Sequence, residues 1–385
     1  MLELQRAFEE HFRRPPQVAA RAPGRVNLIG EHTDYNEGWV LPCAIDRASW
    51  VMAARREDGQ VRALACDLAE EATFDVAAPR ARGGWIDYVQ GVVSALRERG
   101  AGISGLDLAV ASDVPRESGL SSSAALEVAL ATLFDGAFEL GLRPRERAQV
   151  AHRAETHFVR VACGIMDPFA SALGRRDHAL RIDCRSLEVE LVPLPGEGLA
   201  LLLAESGVRR ALLAGAYGDR RAECEAALRA AQQAGVAAPG ARALRDLEPG
   251  ALPALERALA PRLMRRVRHV ITENERVHRV CQALREGELA LAGAELREGM
   301  RSLRDDFEVS TPELDALCAR ADAHPAVYGS RLTGAGFGGC TLHLVRPEAL
   351  EEVRDWIAGG FEERFGRRPP LHRVRAADGA RVLAV

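Results

Sequence analysis

The sequence predicts an α+β fold in two domains. Three observations carry this. The 385 residues exceed what one ordinary core requires. Short apolar runs of strand character are interleaved with longer helical patterns. Pro193 and Pro195 mark a break before a new apolar run. The division expected is 1–195 and 196–385.

The elements follow in chain order. Met1 to Phe12 reads as an amphipathic helix; it carries Glu3, Glu9 and Glu10 and lacks the basic-then-apolar order of an export signal. Val26 to Ile29 and Val40 to Ile45 read as strands around a polar turn. Leu106 to Val110 alternates with period two, as a half-buried strand does. Ala124 to Phe134 is apolar almost throughout, the pattern of a buried helix. Arg147 to Val161 is expected as one helix, and Leu199 to Leu203 as the strand that opens the second half. Arg220 to Gln233 and Arg262 to Arg285 are amphipathic helices with arginine and glutamate faces, and Thr341 to Val345 is a strand after a glycine-rich turn.

Composition excludes several classes. A net charge of −4 with mixed signs gives no nucleic-acid footprint. Apolar runs are broken by charges, so no membrane span is expected. The eight cysteines form no CxxC pair, which suggests reduced thiols and a cytoplasmic location. All 51 basic residues are arginine. Without lysine, a Walker phosphate loop, a protein-kinase lysine and Schiff-base chemistry are all excluded. Phosphoryl transfer here has to use backbone amides, arginine and a metal. Oligomeric state is not readable, and a monomer is compatible with everything above.

Four runs carry chemistry. In the first, Pro23 to Tyr35, a strand-like stretch ends in Gly30 and delivers Glu31, His32, Thr33 and Asp34. Several converging polar groups are what a polyol requires, because each buried hydroxyl left unpaired is costly. In the second, Pro115 to Ala124, Gly119 and Ser121 to Ser123 stand between a strand and a buried helix. A helix N-terminus suits phosphate, and a serine hydroxyl suits magnesium, although a plain serine cap is the commoner use. The third holds Glu155 and then Cys163 to Pro168, where Asp167-Pro168 suggests a helix cap followed by proline. The fourth, Arg331 to Cys340, has four glycines in six residues and permits close approach of backbone to a ligand.

These runs, in this order, resemble the GHMP kinase superfamily and within it the galactokinase family. Segments 85–92, 182–188, 302–310 and 377–383 also look like galactokinase segments. The resemblance implies a two-domain GHMP kinase fold with the active site in the interdomain cleft. It implies transfer of the γ-phosphoryl of ATP to the anomeric hydroxyl of galactose. By motif, Glu31, His32, Thr33, Asp34 and Tyr217 match the sugar site. Glu117, Ser118, Gly119, Leu120, Ser121, Ser122 and Ser123 match the ATP phosphate loop. Ser123 and Glu155 match the Mg2+ ligands, Asp167 the catalytic base and Arg25 the arginine beside it.

The chain departs from the family pattern in three places. Glu117-Ser118 replaces two small residues, Pro168 replaces a glutamine, and Gly299-Met300 stands where a Ser-His pair is usual. A kinase for arabinose, galacturonate or N-acetylgalactosamine, and a non-catalytic sensor of galactose and ATP, are the competing readings. The intact run 31–34 favours galactose, and the complete Ser123-Ala124 pair favours catalysis.

Overall fold

The computed structural model describes residues 1–115, 118–161, 163–208 and 214–385. The first half runs α1 (Leu2–Phe12), β1 (Val18–Asn27), β2 (Trp39–Val40), β3 (Pro42–Arg55), β4 (Gln60–Ala65), β5 (Glu70–Asp75), α2 (Ile86–Glu98), β6 (Leu106–Ser112), α3 (Ser122–Phe138), α4 (Pro144–Arg153), α5 (Met166–Leu173), β7 (His178–Asp183) and β8 (Val189–Pro193). The second runs β9 (Ala200–Glu205), α6 (Ala214–Gln233), α7 (Leu252–Ala258), α8 (Pro261–Glu286), α9 (Leu289–Asp305), α10 (Pro312–Asp322), β10 (Val327–Thr333), β11 (Cys340–Val345), α11 (Leu350–Phe365), β12 (Leu371–Val374) and β13 (Arg381–Leu383).

Strand periodicity builds the first layer. Val51 and Ala53 of β3 pack with α2 to α5 on one face of the sheet, and Met52 and Ala54 pack under α1 on the other. The strand order is β13-β1-β3-β6-β4-β5, with only β4 and β6 parallel. In β6, the alternation of Leu106, Asp107 and Leu108 turns Asp107 away from the α2–α5 layer. There it accepts hydrogen bonds from Arg56 and Arg62. Helix α3 is buried along most of its length, as its near-continuous apolar run requires.

The second half holds a four-stranded antiparallel sheet, β10-β11-β9-β12. Its Leu202 and Ala204 pack under α11, and Leu201 and Leu203 pack on the opposite face. That opposite face also receives Leu28, Ile29, Leu41 and Cys43, so one apolar cluster is shared between the halves. The Asn27 amide donates to Thr333 Oγ1, and the Thr333 hydroxyl donates to Asn27 O, both at 3.0 Å. This pair ties the end of the first run to the start of the glycine run.

Several expectations are corrected. β1 ends at Asn27, two residues before the expected Ile29, because Leu28 and Ile29 turn to exchange backbone bonds with Leu41. The expected single helix over 147–161 is α4 followed by a π-helical turn, Ala154–Val159, which contains Glu155. π turns often mark functional positions. Asp167 is not a cap: α5 begins at Met166, placing Asp167 and Pro168 inside its first turn. Amides there have no intrahelical acceptor, so the proline costs no bond. β13 crosses back to pair with β1, so residues 381–383 join the first sheet. We propose a domain boundary between β8 and β9, near residue 195, with that one strand returning.

Candidate active site

The first site element is set by backbone geometry. A register shift in β1 between Pro23 and Arg25 turns the strand. Gly24 lets the serine loop press onto it, since a Cβ there would lie 2.7 Å from Leu120 O. The Arg25 amide donates to Leu120 O at 3.1 Å, locking loop to strand. Arg25, almost fully buried, donates from Nε to Asp167 Oδ1 at 2.8 Å, from Nη2 to Asp167 Oδ2 at 2.9 Å and from Nη1 to Gly119 O at 2.5 Å.

Asp167 also accepts a hydrogen bond from the Ser121 hydroxyl. Ser121 adopts a left-handed conformation (φ 59°) at the start of α3, and its hydroxyl serves Asp167 rather than capping the helix. A carboxylate has about four acceptor positions. Arg25 and Ser121 occupy three, leaving room for one more donor.

In the first turn of α3, Ser123 donates from Oγ to Glu155 Oε1 at 2.7 Å, and Cys163 Sγ approaches Glu155 Oε2 at 3.4 Å. Burial raises the Glu155 carboxyl above its usual range, against the Ser123 bond. Beneath it Glu127, fully buried, has no hydrogen-bond partner among the described residues, and burial pushes its carboxyl well upward. A buried pair of this kind favours a cation at Glu155. Among the described residues no three His, Cys, Asp or Glu side chains form a metal cage.

The polar run 31–34 sits at the other end of the same cavity. Glu31 Oε1 accepts from the Gly334 amide at 3.3 Å, and Oε2 accepts from Arg331. Burial lifts the Glu31 carboxyl to about 7 against the pull of Arg331. Asp34 accepts from the Tyr35 amide at 2.9 Å, and burial raises it to about 6, with the Asp167 charge adding to the rise. His32 Nε2 donates to Ala335 O at 3.0 Å, which fixes the tautomer and makes Nδ1 the acceptor for the Tyr35 hydroxyl at 2.8 Å. Both ring nitrogens are thus engaged by protein, and His32 presents its ring between Phe307 and Tyr217.

A cavity of about 550 Å³ joins these groups. Its walls carry Arg25, Gly119, Ser121 to Ser123, Glu155 and Asp167 from the first half. Glu31, His32 and Asp34 complete that side, and Tyr217 with Gly334 to Phe337 come from the second half. A second cavity of about 530 Å³ shares Ser122 and Ser123 with it and is walled largely by Leu68, Trp85, Tyr88, Val110, Leu126 and Val159.

Not every expected residue reaches these walls. Thr33 is fully buried behind the wall, and its hydroxyl bonds the carbonyls of Gly30 and Trp39, both at 2.7 Å. It closes the loop that aims its neighbours. Ser118 bonds Pro115 O at 2.6 Å, and the Leu120 side chain packs in the core shared by the halves. Glu117 lies outside the described residues. Conversely, sequence reasoning missed Glu273, which has no local signature inside an amphipathic helix. Trp85 and Tyr88 stand in a segment noted only for its resemblance, and Arg331 only as the opening of the glycine run.

Residues 6–55 match the galactokinase galactose-binding signature. Residues 87–175 match the GHMP kinases N terminal domain, and 281–359 the GHMP kinases C terminal. The chain is 47% identical over 378 residues to a galactokinase of Roseiflexus sp. (strain RS-1), covering 98% of this chain and 96% of that one. The chain belongs to the galactokinase family. A galactokinase of Chloroflexus aggregans (strain MD-66 / DSM 9485) is 44% identical over 381 residues, again covering 98% and 96%. The fold agrees: the Lactococcus lactis galactokinase complexed with galactose superposes with a TM-score of 0.94 at 32% identity, covering 98% of each chain. The chain is therefore an ATP-dependent sugar kinase with the two-domain GHMP architecture.

Proposed function

We propose that the chain moves the γ-phosphoryl of ATP to the anomeric hydroxyl of galactose, with Asp167 receiving the hydroxyl proton. The observation that supports this most is the shared cavity. Asp167, fixed by Arg25 and Ser121, stands between a hydroxyl-binding end and a serine-lined end.

Glu31, Asp34 and Tyr217 are the sugar contacts, while His32 shapes the floor with its ring. Asp34 and Glu31 line the cavity, and a carboxylate bonds a sugar hydroxyl more strongly than a neutral group does. The remaining acceptor position of Asp167 takes the nucleophilic hydroxyl and orients it. Arg25 stabilises the charge that develops on the transferring group, the dominant task in such reactions. Gly119 and Ser121 to Ser123 line the phosphate end, and the apolar second cavity takes the adenine. Ser123 and Glu155 would hold Mg2+, which supplies charge neutralisation on the phosphate oxygens. The eight scattered cysteines, with no CxxC pair among them, support a reducing, cytoplasmic setting.

The test is ADP release with ATP and magnesium across galactose, 2-deoxygalactose, N-acetylgalactosamine, arabinose, galacturonate and glucose. Rapid release with galactose is expected. Turnover with another sugar alone overturns the substrate assignment, and galactose binding without ADP release overturns the kinase assignment.

Two further results follow from the geometry. Glu155→Gln raises the Mg2+ concentration needed for half-maximal rate. The rise is at least the roughly 10- to 100-fold that losing a ligand's supporting partner costs; a magnesium titration reads it. Trp85→Ala raises the KM for ATP but not for galactose. Stacking of a base on an aromatic ring is worth about 1–3 kcal/mol, so the rise is roughly 5- to 150-fold. Equal changes in both KM values would remove the second cavity from nucleotide binding.

A further inference from the structure

The galactose end contains a charge system that the reaction itself does not require. Arg331 on β10 is fully buried, and its Nη2 bonds two carboxylates at once: Glu31 of the sugar run and Glu273 of α8, the latter at 2.8 Å. Glu273 also accepts from the Gly30 amide at 2.9 Å and from Arg276 Nε at 2.7 Å. Burial pushes the Glu273 carboxyl up, but Arg331 and Arg276 outweigh it and hold it well below the usual range. His269, neutral because burial lowers it to about 4, donates from Nε2 to Glu31 O at 3.1 Å, which leaves Nδ1 as the acceptor facing the Ser302 hydroxyl at 2.9 Å, closing the third side. The packing makes room for this arginine: a Cβ at Gly299 would lie 2.6 Å from Arg331 Nη1. That is one of the positions where the sequence departs from its relatives' usual serine.

We infer that Arg331 is a positioning residue for sugar recognition, holding Glu31 as an oriented, charged acceptor and sharing itself between Glu31 and Glu273. The inference rests on the reading that Glu31 contacts galactose. A buried carboxyl without its cation takes up a proton. It then donates one hydrogen bond where it had accepted, and the sugar hydroxyls lose their acceptor. The groups facing Glu31 set the direction of each change. Arg331 lowers its proton affinity, and Glu273 raises it.

Opposite signs are therefore expected from the two partners. For the wild type, the KM for galactose rises as pH falls through about 7, the Glu31 midpoint. Arg331→Met moves that rise to higher pH and raises KM for galactose roughly tenfold or more at pH 7, about the worth of one hydrogen bond to a charged group. It leaves KM for ATP within about twofold. Arg331→Lys restores part of the loss. Glu273→Gln, which keeps an acceptor for the Gly30 amide, moves the rise to lower pH. Steady-state kinetics from pH 5.5 to 9 on each variant, with a melting curve to confirm folding, tests this. A folded Arg331→Met with unchanged galactose KM and pH profile overturns the inference, as does a shift of the same sign in Glu273→Gln. If Arg331→Met does not fold, the sign of the Glu273→Gln shift decides alone. Glu31→Gln separates the two readings. If it leaves galactose KM unchanged, the sugar-site reading of Glu31 falls and takes this inference with it. If it weakens galactose while the Arg331 variants do not, the inference alone fails.

Discussion

Asp167→Asn lowers kcat by roughly 10²- to 10⁴-fold, the range for a positioned proton acceptor, and leaves galactose affinity within a few-fold of wild type. The asparagine keeps the shape and one acceptor oxygen. It loses the charge, and its amide donors have no acceptor on Arg25, whose NH groups bonded both carboxylate oxygens. Arg25 is almost fully buried, so a partly unpaired guanidinium also costs stability, about 1–3 kcal/mol. A melting curve separates that loss from the catalytic one. Single-turnover ADP formation, with galactose binding read by calorimetry, isolates the chemical step. Near-normal turnover in this variant would remove Asp167 from the reaction.

Gly164→Ala weakens galactose and spares ATP. A Cβ at position 164 would lie 1.7 Å from Asp34 Oδ2 and 2.3 Å from Asp34 Cγ, closer than any real contact permits. The Asp34 carboxylate has to move, and it cannot retreat far because it is bonded to the Tyr35 amide. Losing one charge-assisted bond to a sugar hydroxyl costs about 2–3 kcal/mol, which is roughly 30- to 150-fold in affinity. Calorimetry with galactose and with ATP reads the two separately. Equal weakening of both would mean that position 164 supports the whole cleft rather than Asp34.

Much of this arrangement is legible in the chain. The apolar run behind Ser121 to Ser123 is a buried helix because a helix covered on all sides has no polar face to display. The glycine run reads as close approach, and Gly336 shows why: a Cβ there would sit 2.4 Å from Val309 O. Orientation is what the order of residues does not encode. Thr33 lies between two wall residues, yet its hydroxyl closes the turn, and Leu120 stands inside the serine loop while its side chain enters the core. His32 has hydrogen-bonding nitrogens, but Tyr35 and Ala335 take both. The link from Glu31 through Arg331 to Glu273 joins residues 300 and 58 positions apart, on a loop, a strand and a helix. No local pattern announces it, because Glu273 reads as one charge on an amphipathic helix and nothing near Glu31 or Arg331 in sequence pairs them with it. The first turn of α5 is a subtler case. Asp167-Pro168 has the composition of a cap, but Asp167 is drawn to Arg25 and Ser121, and the helix starts two residues earlier, at Met166.

The central claim is that the cavity presents the anomeric hydroxyl, and no other, to the phosphate end beside Asp167. The direct measurement is the position of the phosphate in the product made from galactose and ATP, read from phosphorus–proton coupling in solution. Coupling to the anomeric proton, giving galactose 1-phosphate as the single product, is the predicted result. Coupling to the C6 protons would mean that the sugar lies the other way round in the cavity, with Glu31 and Asp34 at the wrong end, and would contradict the account.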